Sequence, residues 1–436
     1  MAAASLPRNP LVRRLIGKLP TGATGPAFST LGANAAMQGA GLLGSILVAR
    51  RYGLDVRGEY AGAMAWCALL SALSDWGVSQ AVAYRSARAP LAPGAIVGTG
   101  LLFAAGAGTL GALFGLVAAF AVLGPRDRGM AMAVAAYLPS VPLLLVGTYA
   151  SLAAQGLGLV RAFNAIRVTL SVTTLAGVAA ALALGWRSGA GLMGAIVGAQ
   201  ALALLFALLL LHRHASARSW RWDAGEMRHL WGFGIQAHLG NLAWLANGRL
   251  DQLVMSVAIP KGDLGLYATA VSYAGLVFSL ATATTDSGFA ALAADLDLAE
   301  RRARLGRAMR RIGRVGAVLA MGLAVAAPWL LPAAFGSEFR GAVLPAVVLL
   351  AASILLGLNY TLSVGLRAAG RPILTSVGEA AGLVVKVAGL PLVLIGAGVL
   401  GLSGIVGAAV LAVASALAVS AALVVLVRRT LAGGAA

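Results

Sequence analysis

Charged residues are scarce in this chain, and acidic residues are scarcer still. Asp, Glu, Lys and Arg make up 11% of the 436 residues, whereas a water-soluble domain has roughly a quarter. Hydrophobic residues account for 60% and the mean hydropathy is +0.89. This composition leaves too little polar surface to cover a soluble body, so it excludes an ordinary soluble enzyme and indicates a membrane protein.

The chain also lacks the usual motifs of catalysis and metal binding. Its single cysteine, Cys67, excludes an intramolecular disulfide and is too isolated for a metal cluster. His212 and His214 have no third ligand near them, and there is no H-E-x-x-H, G-x-S-x-G or P-loop segment. G-x-G-x-x-G runs at 106–111 and 396–401 lie in apolar segments, where small-residue helix packing is the better interpretation. We expect no metal and no cofactor.

Long apolar runs, by contrast, recur along the whole chain. A bilayer core of ~30 Å requires ~20 apolar residues per helix, whereas spanning β-strands show alternating segments of ~10 residues. The runs here are continuous, so we predict an all-α polytopic membrane protein. The predicted transmembrane helices, about twelve in number, lie at 28–49, 59–84, 94–123, 129–154, 162–185, 190–211, 230–258, 264–293, 312–334, 341–366, 372–396 and 402–427.

Basic residues alternate in density between successive links. The N-terminus, the even-numbered links and the C-terminus contain 23 Lys and Arg residues, and the odd-numbered links contain 8. The remaining two, Arg249 and Lys386, lie inside predicted helices. The positive-inside rule then places both termini in the cytoplasm, with the chain in a bacterial inner membrane. The same asymmetry explains most of the net charge of +19, so we expect no nucleic-acid partner.

Link lengths divide the chain into segments. Residues 1–27 are predicted to be a cytoplasmic amphipathic segment, because their apolar residues share one helical face. A long basic link after residue 294 includes Glu300–Arg314. Its seven arginines are interpreted as a solvated face at anionic lipid headgroups. The predicted order is the segment 1–27, an N-terminal six-helix bundle at 28–211, a cytoplasmic linker at 212–229, a C-terminal six-helix bundle at 230–427 and a cytoplasmic tail at 428–436.

The two halves resemble repeats of one unit. Segments 58–63 and 265–270 both read G-x-Y-A-x-A and are offset by 207 residues, and the same offset relates Asn34 to Asn241. With six helices each, both halves keep the same orientation. We therefore predict pseudo-symmetric parallel repeats related by an axis along the membrane normal, around a central cavity.

Polar side chains inside the spans are candidate functional positions, because each charge there costs ~2.5–3.5 kcal/mol unless it is paired or hydrated. In the predicted helix 230–258, Asn241 and Arg249 lie on one stripe, and Asn247 and Asp251 lie nearly opposite. We therefore expect that Arg249 and Asp251 do not pair with each other. Predicted helices 1, 2, 10 and 11 add further candidates: Asn34, Gln38, Asp75, Asn359, Glu379 and Lys386.

These residues carry a resemblance to a known family. Arg249-Leu-Asp251-Gln-Leu, followed by a short link and Gly265-Leu-Tyr267-Ala-Thr-Ala270, resembles the R-x-D … G-x-Y-x-x-A pattern of Wzx-like polysaccharide and O-antigen flippases. This oligosaccharide exporter branch belongs to the MOP superfamily, together with MATE drug exporters and lipid II flippases. The resemblance covers the whole chain in helix count, link pattern and pseudo-repeat. Lipid II flippases typically have fourteen helices, so the number predicted here favours the oligosaccharide branch.

The resemblance implies a transporter without enzymatic activity. It would flip a polyprenyl-diphosphate-linked oligosaccharide from the inner to the outer leaflet by alternating access, for export of cell-surface polysaccharide. Arg249 and Lys386 are expected to contact the diphosphate, because basic side chains suit phosphate oxygens. The further expected substrate contacts are Asn34, Gln38, Asn241 and Asn359, and the expected counter-charges or couplers are Asp251, Glu379 and Asp75.

The expected partners are membrane lipids, with a polysaccharide polymerase and glycosyltransferases as candidates, and the chain is expected to be a monomer. Two alternatives stay open. A MATE-like cation-coupled small-molecule exporter would share the fold, and an acidic cavity would favour it. A membrane glycosyltransferase or polymerase would need a carboxylate near the membrane surface, such as Asp55 or Glu59, but the external links are short, at roughly ten residues or fewer.

Overall fold

A computed structural model describes residues 24–88, 93–214, 220–293, 298–369, 371, 373–396 and 404–431. Within these residues the chain is α-helical, apart from short links and a 3-10 helix at Ser337–Ala342. The amphipathic segment predicted at 1–27 lies almost wholly outside the described residues. The helices are α1 (Thr24–Asp75), α2 (Val78–Arg88), α3 (Pro93–Val122), α4 (Arg128–Tyr137), α5 (Ser140–Gly156), α6 (Val160–Ala183), α7 (Gly189–His214), α8 (Ala224–Ala258), α9 (Lys261–Ala293), α10 (Leu298–Phe335), α11 (Val343–Ala368), α12 (Ile373–Gly396) and α13 (Gly404–Leu431).

Ten stretches of the described helices are long and apolar enough to cross a membrane. The first, Gly32–Asp75, contains most of the first predicted helix and most of the second, joined at Gly53, whose φ of 79° and ψ of −173° are non-helical. The 35-residue helix α8 is also long enough to cross but is not among the ten, because it carries many polar side chains. Ten stretches, one of them double, together with α8 agree with the prediction of about twelve transmembrane helices.

The predicted helix 129–154 corresponds to one apolar span, Arg128–Gly156. The span has a short break at Leu138 and Pro139, between α4 and α5, where the proline lacks the N–H that a continuous helix needs. The prediction for the basic segment after residue 294 is wrong. The arginine-rich segment predicted as a link belongs to α10, one helix of 38 residues. Arginine is a good helix former, and Leu305 and Ile312 within this segment are buried, so the helix continues instead of unwinding.

The repeated glycines lie against each other where α1 crosses α9. A Cβ added to Gly58 would lie 3.2 Å from the backbone nitrogen of Gly265, and one added to Gly265 would lie 3.2 Å from the backbone nitrogen of Gly58. The same added atoms would lie 1.8 Å from the Lys261 carbonyl oxygen and 2.3 Å from the Leu54 carbonyl oxygen. The two backbones therefore touch with no room for a side chain. This reciprocal contact is the one expected between symmetry-related positions.

The largest buried cluster joins the first half of the chain, α1–α7, to the second half, α8–α13. It contains Tyr60 and Trp66 from α1, Tyr137 from α4, and Tyr267 and Tyr273 from α9. A second buried cluster lies mainly on α2, α3, α5, α6 and α7. The G-x-G-x-x-G run at 106–111 is helical, within α3, as the packing interpretation requires.

Candidate functional site

A buried ion pair joins α8 to α12 in the second half. The ammonium of Lys386 lies 3.4 Å from Asp251 Oδ2, and the two side chains are only 4% and 8% exposed. The same carboxylate oxygen accepts a hydrogen bond of 2.6 Å from the hydroxyl of Tyr267, while the backbone N–H of Gln252 donates to Oδ1 at 2.8 Å. Lys386 also donates to the carbonyl oxygen of Asn247. Both charges are therefore fully engaged, as burial in a low-dielectric interior requires.

Glu379 lies on the same helix as Lys386 and also contacts α8. The amide nitrogen of Asn247 donates to Glu379 Oε2 and to the Glu379 carbonyl oxygen, each at 2.8 Å. The two residues of α8 that contact these side chains of α12 are Asn247 and Asp251. They lie on the same stripe of α8, as the helical periodicity of the sequence predicts. Arg249, on the other stripe, donates to the Gln252 side chain at 3.3 Å and is partly exposed. The expectation that Arg249 and Asp251 do not pair is confirmed.

Arg57 is a buried cation, although it is one of the 8 basic residues that were counted in the odd-numbered links. It lies within α1, four residues after the kink at Gly53, and is 3% exposed. Its Nη2 donates to Ser45 Oγ at 2.9 Å, to Ser272 Oγ at 3.0 Å and to the Ala268 carbonyl oxygen at 3.1 Å.

No acidic side chain among the described residues pairs with this guanidinium, and Arg57 Nε is buried without a partner. The guanidinium carbon lies 5.5 Å from the ring centroid of Tyr60, and Arg249 is close enough to repel it electrostatically. Two cations with neutral partners therefore lie in one region, between α1, α8 and α9. The sequence signal for Arg57 was its position beside the repeated glycine motif.

A cavity of about 660 Å³ lies in the first half, between α1, α2, α5 and α6. Of the twelve described residues that line it, eight are polar, one of these is cationic, and none is acidic. Arg167 supplies the charge: its Nη2 lies 3.2 Å from Asn34 Oδ1 and its guanidinium carbon 4.9 Å from the ring centroid of Phe163. Lining residues with hydroxyl or amide groups are Thr30, Asn34, Gln80, Thr148, Ser151, Gln155 and Ser171.

Of the residues predicted to form a site, this cavity includes Asn34 but not Arg249 or Lys386. Gln38 lies one turn beyond Asn34 and is exposed, and Asn241 is also exposed. Arg167 is one of the 23 basic residues that were counted in the termini and the even-numbered links, although it lies two turns inside α6. Its position seven residues after the start of the helix could have indicated that it lies within the membrane span.

The remaining two candidates have local structural contacts. Asn359 is 2% exposed; its amide nitrogen donates to the Ala416 carbonyl oxygen at 2.9 Å, and its oxygen accepts from Ser420 at 2.7 Å. Asp75 is the last residue of α1 and accepts from the Ser79 N–H at 3.3 Å and from the Ser79 hydroxyl at 3.0 Å. These bonds tie α11 to α13 and fix the turn between α1 and α2.

The two halves are also joined at each end of the molecule. At the α2–α8 end, Arg85 forms an ion pair of 2.7 Å with Glu226, and the rings of Tyr84 and Phe233 stack with centroids 4.3 Å apart. At the α1–α9 end, beside the glycine crossing, Lys261 Nζ lies 2.7 Å from Glu59 Oε1. Within the described part of the chain, no three His, Cys, Asp or Glu side chains are grouped to hold a metal ion.

Comparisons with known proteins identify the family and the fold of the chain. A family model described as "Polysaccharide biosynthesis protein" matches residues 47–344, which is more than half of the chain. No curated protein sequence matches the chain. An inward-facing multidrug resistance MATE family transporter of the MOP superfamily has a TM-score of 0.71 at 13% identity, with 94% of this chain and 100% of that chain covered.

Two further solved structures share the fold. The lipid II flippase MurJ in an inward closed conformation has a TM-score of 0.69 at 11% identity, covering 91% of this chain and 86% of that chain. A MOP superfamily transporter from Pyrococcus furiosus, described by the reverse polarity of its binding pocket, has a TM-score of 0.62 at 15% identity, covering 93% and 95%. At such identities the likeness establishes the fold, which is that of the MOP superfamily.

Proposed function

The chain belongs to the polysaccharide biosynthesis protein family, because the family model covers residues 47–344, and from that premise we propose that it is a lipid-linked oligosaccharide flippase. It moves a polyprenyl-diphosphate-linked oligosaccharide from the inner to the outer leaflet by alternating access. The polar headgroup crosses the membrane through the protein, while the polyprenyl tail stays in lipid. The solved MATE and MurJ structures are a multidrug transporter and a lipid II flippase, so transport is the activity associated with this fold.

The chemistry of the cavity in the first half is the observation that carries this proposal. Seven of its described lining residues have hydroxyl or amide groups, which match the hydroxyl groups of sugars. The guanidinium of Arg167 can contact phosphate oxygens in a bidentate manner. A MATE-like exporter of cationic compounds would need acidic lining residues, and none of the described lining residues is acidic. The electrostatics therefore favour an anionic or neutral glycan substrate over a cationic drug.

Contacts at the two ends support alternating access. Arg85 and Glu226 connect the halves at one end, and Lys261 and Glu59 connect them at the other. Each pair must separate before its own end can open, and rocking of one half against the other can break one pair at a time. The buried pairing of Glu59, which is 5% exposed, also argues against its use as the base of a glycosyltransferase or polymerase.

Arg249 and Arg57 supply further positive charge on the path between the halves. Both have neutral hydrogen-bond partners, and no carboxylate among the described side chains pairs with either, so their charges favour a diphosphate when the halves separate. Lys386 is held by Asp251 here, and its contact with a diphosphate would require that pair to open. Glu379 and Asp251 remain the proposed coupling carboxylates.

The proposal includes the setting of the protein. Both termini face the cytoplasm of a bacterial inner membrane, the chain acts as a monomer without enzymatic activity, and the candidate partners are a polysaccharide polymerase and glycosyltransferases. The alternation of 23 and 8 basic residues supports the orientation.

Reconstituted flipping tests the function directly. Purified protein is placed in liposomes that contain a fluorescent polyprenyl-diphosphate oligosaccharide, and the fraction accessible to an external quencher is followed with time. We expect Arg167→Gln and Arg249→Ala to slow flipping at least about tenfold, since a charge-assisted contact contributes roughly 1.5–3 kcal/mol. Arg161→Gln, at an exposed position near the start of α6, is the matched control.

One outcome would overturn the proposed function, and another would overturn the proposed substrate route. Wild-type protein that does not flip this substrate but transports a cationic dye would favour the MATE-like alternative. Normal flipping by both Arg167→Gln and Arg249→Ala would leave a flippase but remove the cavity and the cationic path as its substrate route.

A further inference from the structure

Four arginines form a stripe on α10, just before its apolar segment. Arg307, Arg310, Arg311 and Arg314 lie on one side of the helix, because 307 to 310 and 311 to 314 are each separated by nearly one turn. All four side chains are exposed. The opposite side of this segment is buried through Leu305, which packs on α11 and α13 at Leu362, Leu366, Val419 and Leu423.

The arginine stripe continues into an exposed apolar stripe. Further steps of three or four residues lead from Arg314 to Val318, Met321, Val325 and Trp329, which are between 61% and 76% exposed. In a helix that crosses a membrane, such a surface faces hydrocarbon. The arginines on the same side of α10 therefore face lipid, and the cavity between α1, α2, α5 and α6 lies in the other half of the molecule.

The length of α10 places the arginines at headgroup level. The segment 315–335 has 21 residues and spans about 31 Å at 1.5 Å per residue, close to the ~30 Å of the hydrocarbon core. Arg310, Arg311 and Arg314 then lie within about 7 Å of the core boundary, in a headgroup layer of roughly 5–8 Å. Arg307 lies one turn further out and can reach the same layer with its long side chain.

The arginine stripe has no acidic partner within the described side chains. Glu300 is the acid at the start of α10, and it forms an ion pair of 2.7 Å with Arg304, outside the stripe. The side chains of Asp286, Asp295 and Asp297 lie outside the described residues. Four exposed guanidinium groups without a carboxylate match phosphate oxygens in charge and in geometry.

We propose that Arg307, Arg310, Arg311 and Arg314 form a binding site for the phosphate groups of anionic phospholipids in the adjoining leaflet, which is the cytoplasmic leaflet in the orientation given above. A basic residue near an anionic membrane surface contributes on the order of a fivefold gain in binding. The site goes beyond substrate transport, because it recognises bulk lipid on the outer surface of the second half.

Native mass spectrometry with defined lipids tests the site. Purified protein is titrated with phosphatidylglycerol or phosphatidylcholine, and the lipids retained on the protein are counted. We expect the variant R307Q/R310Q/R311Q/R314Q to lose at least about tenfold in apparent affinity for phosphatidylglycerol, with phosphatidylcholine binding unchanged. The control R126Q/R128Q/R187Q/R340Q removes four exposed arginines from other helices and links and is expected to retain wild-type affinity.

Equal losses in both quadruple variants would overturn the proposal, because net charge and not this stripe would then govern binding. Removal of basic residues can also change the topology of a membrane protein, so the wild type provides an independent measurement. It should retain phosphatidylglycerol in preference to phosphatidylcholine, and the preference should fall as salt is raised. Equal retention of the two lipids by the wild type would contradict recognition of anionic phospholipids by this stripe.

Discussion

The guanidinium of Arg85 contacts both carboxylate oxygens of Glu226. Nη2 lies 2.7 Å from Oε1 and 2.7 Å from Oε2, and Nε lies 3.3 Å from Oε2. Arg85 lies in the last turn of the first-half helix α2, and Glu226 lies in the first turn of the second-half helix α8. In the proposed transport cycle the pair spans the boundary that opens, and its partial exposure makes it easy to break.

Weakening this pair should favour opening at the α2–α8 end. A partly exposed ion pair contributes roughly 0–1 kcal/mol, so Glu226→Gln should raise the open population by up to about fivefold. Spin labels at Ala87 and His229, both exposed, would report the change as longer label distances in a background with Cys67 replaced by alanine. The charge-reversed double variant R85E/E226R should restore the short distances. Unchanged distances in Glu226→Gln would show that the pair does not hold this end closed.

Removing one member of the Lys386–Asp251 pair should destabilise the protein strongly. Lys386→Met leaves the Asp251 carboxylate buried without its cation, which costs about 3–5 kcal/mol. Thermal unfolding in detergent measures the loss, and the double variant D251N/K386M should recover most of it. A Lys386→Met protein of normal stability that no longer flips substrate would instead assign Lys386 to the diphosphate.

Arg57→Met should separate function from stability. The guanidinium is buried, and its hydrogen bonds go only to neutral oxygens, so an apolar side chain of similar length should leave stability unchanged or raise it. Flipping in liposomes should nevertheless fall at least about tenfold if the charge serves the diphosphate. Arg57→Lys keeps a positive charge and should retain more activity than Arg57→Met. A Met variant with full activity would exclude a role for this charge in transport.

The glycine crossing should not tolerate even one methyl group. Gly58→Ala places a Cβ 1.8 Å from the Lys261 carbonyl oxygen, so α1 and α9 must separate, at a cost of roughly 1–3 kcal/mol or more. We expect a lower melting temperature in detergent. Gly194→Ala is the control, since a Cβ there meets nothing within 4 Å and alanine favours the helix. Equal melting temperatures for Gly58→Ala and the wild type would mean that α1 and α9 can separate at this crossing without loss of stability.

Much of the fold could be predicted from the sequence, because its determinants are local. Apolar runs of about 20 residues set the helices, and the period of 3.6 residues correctly separated Arg249 from Asp251 on α8. The span Arg128–Gly156 was likewise predicted, because the apolar run continues on both sides of the short break at Pro139. The helix at residues 300–314 was not predicted, because the high charge of this segment was interpreted as that of a solvated link, despite the good helix propensity of arginine.

The candidate site could be predicted only in part, because its other determinants are non-local. A basic residue next to a turn is typical of an exposed link, and the burial of Arg57 depends on oxygens supplied by Ser45, Ala268 and Ser272. The pairing of Lys386 with Asp251 likewise joins residues 135 positions apart. Helical periodicity indicates which face a side chain occupies, but it does not indicate which helix covers that face.

The stacked rings at the α2–α8 end give the protein an optical property. Trp76 has its ring centroid 5.5 Å from that of His238, nearly parallel to it, and 5.6 Å from that of Trp231. Indole emission responds to a stacked imidazole and to the polarity around the ring. Separation of Trp76, which lies between α1 and α2, from α8 would remove this neighbour. The native chain thus contains an intrinsic fluorophore at a contact that parts in the proposed cycle, so its emission spectrum is expected to shift when this end opens, without any attached dye.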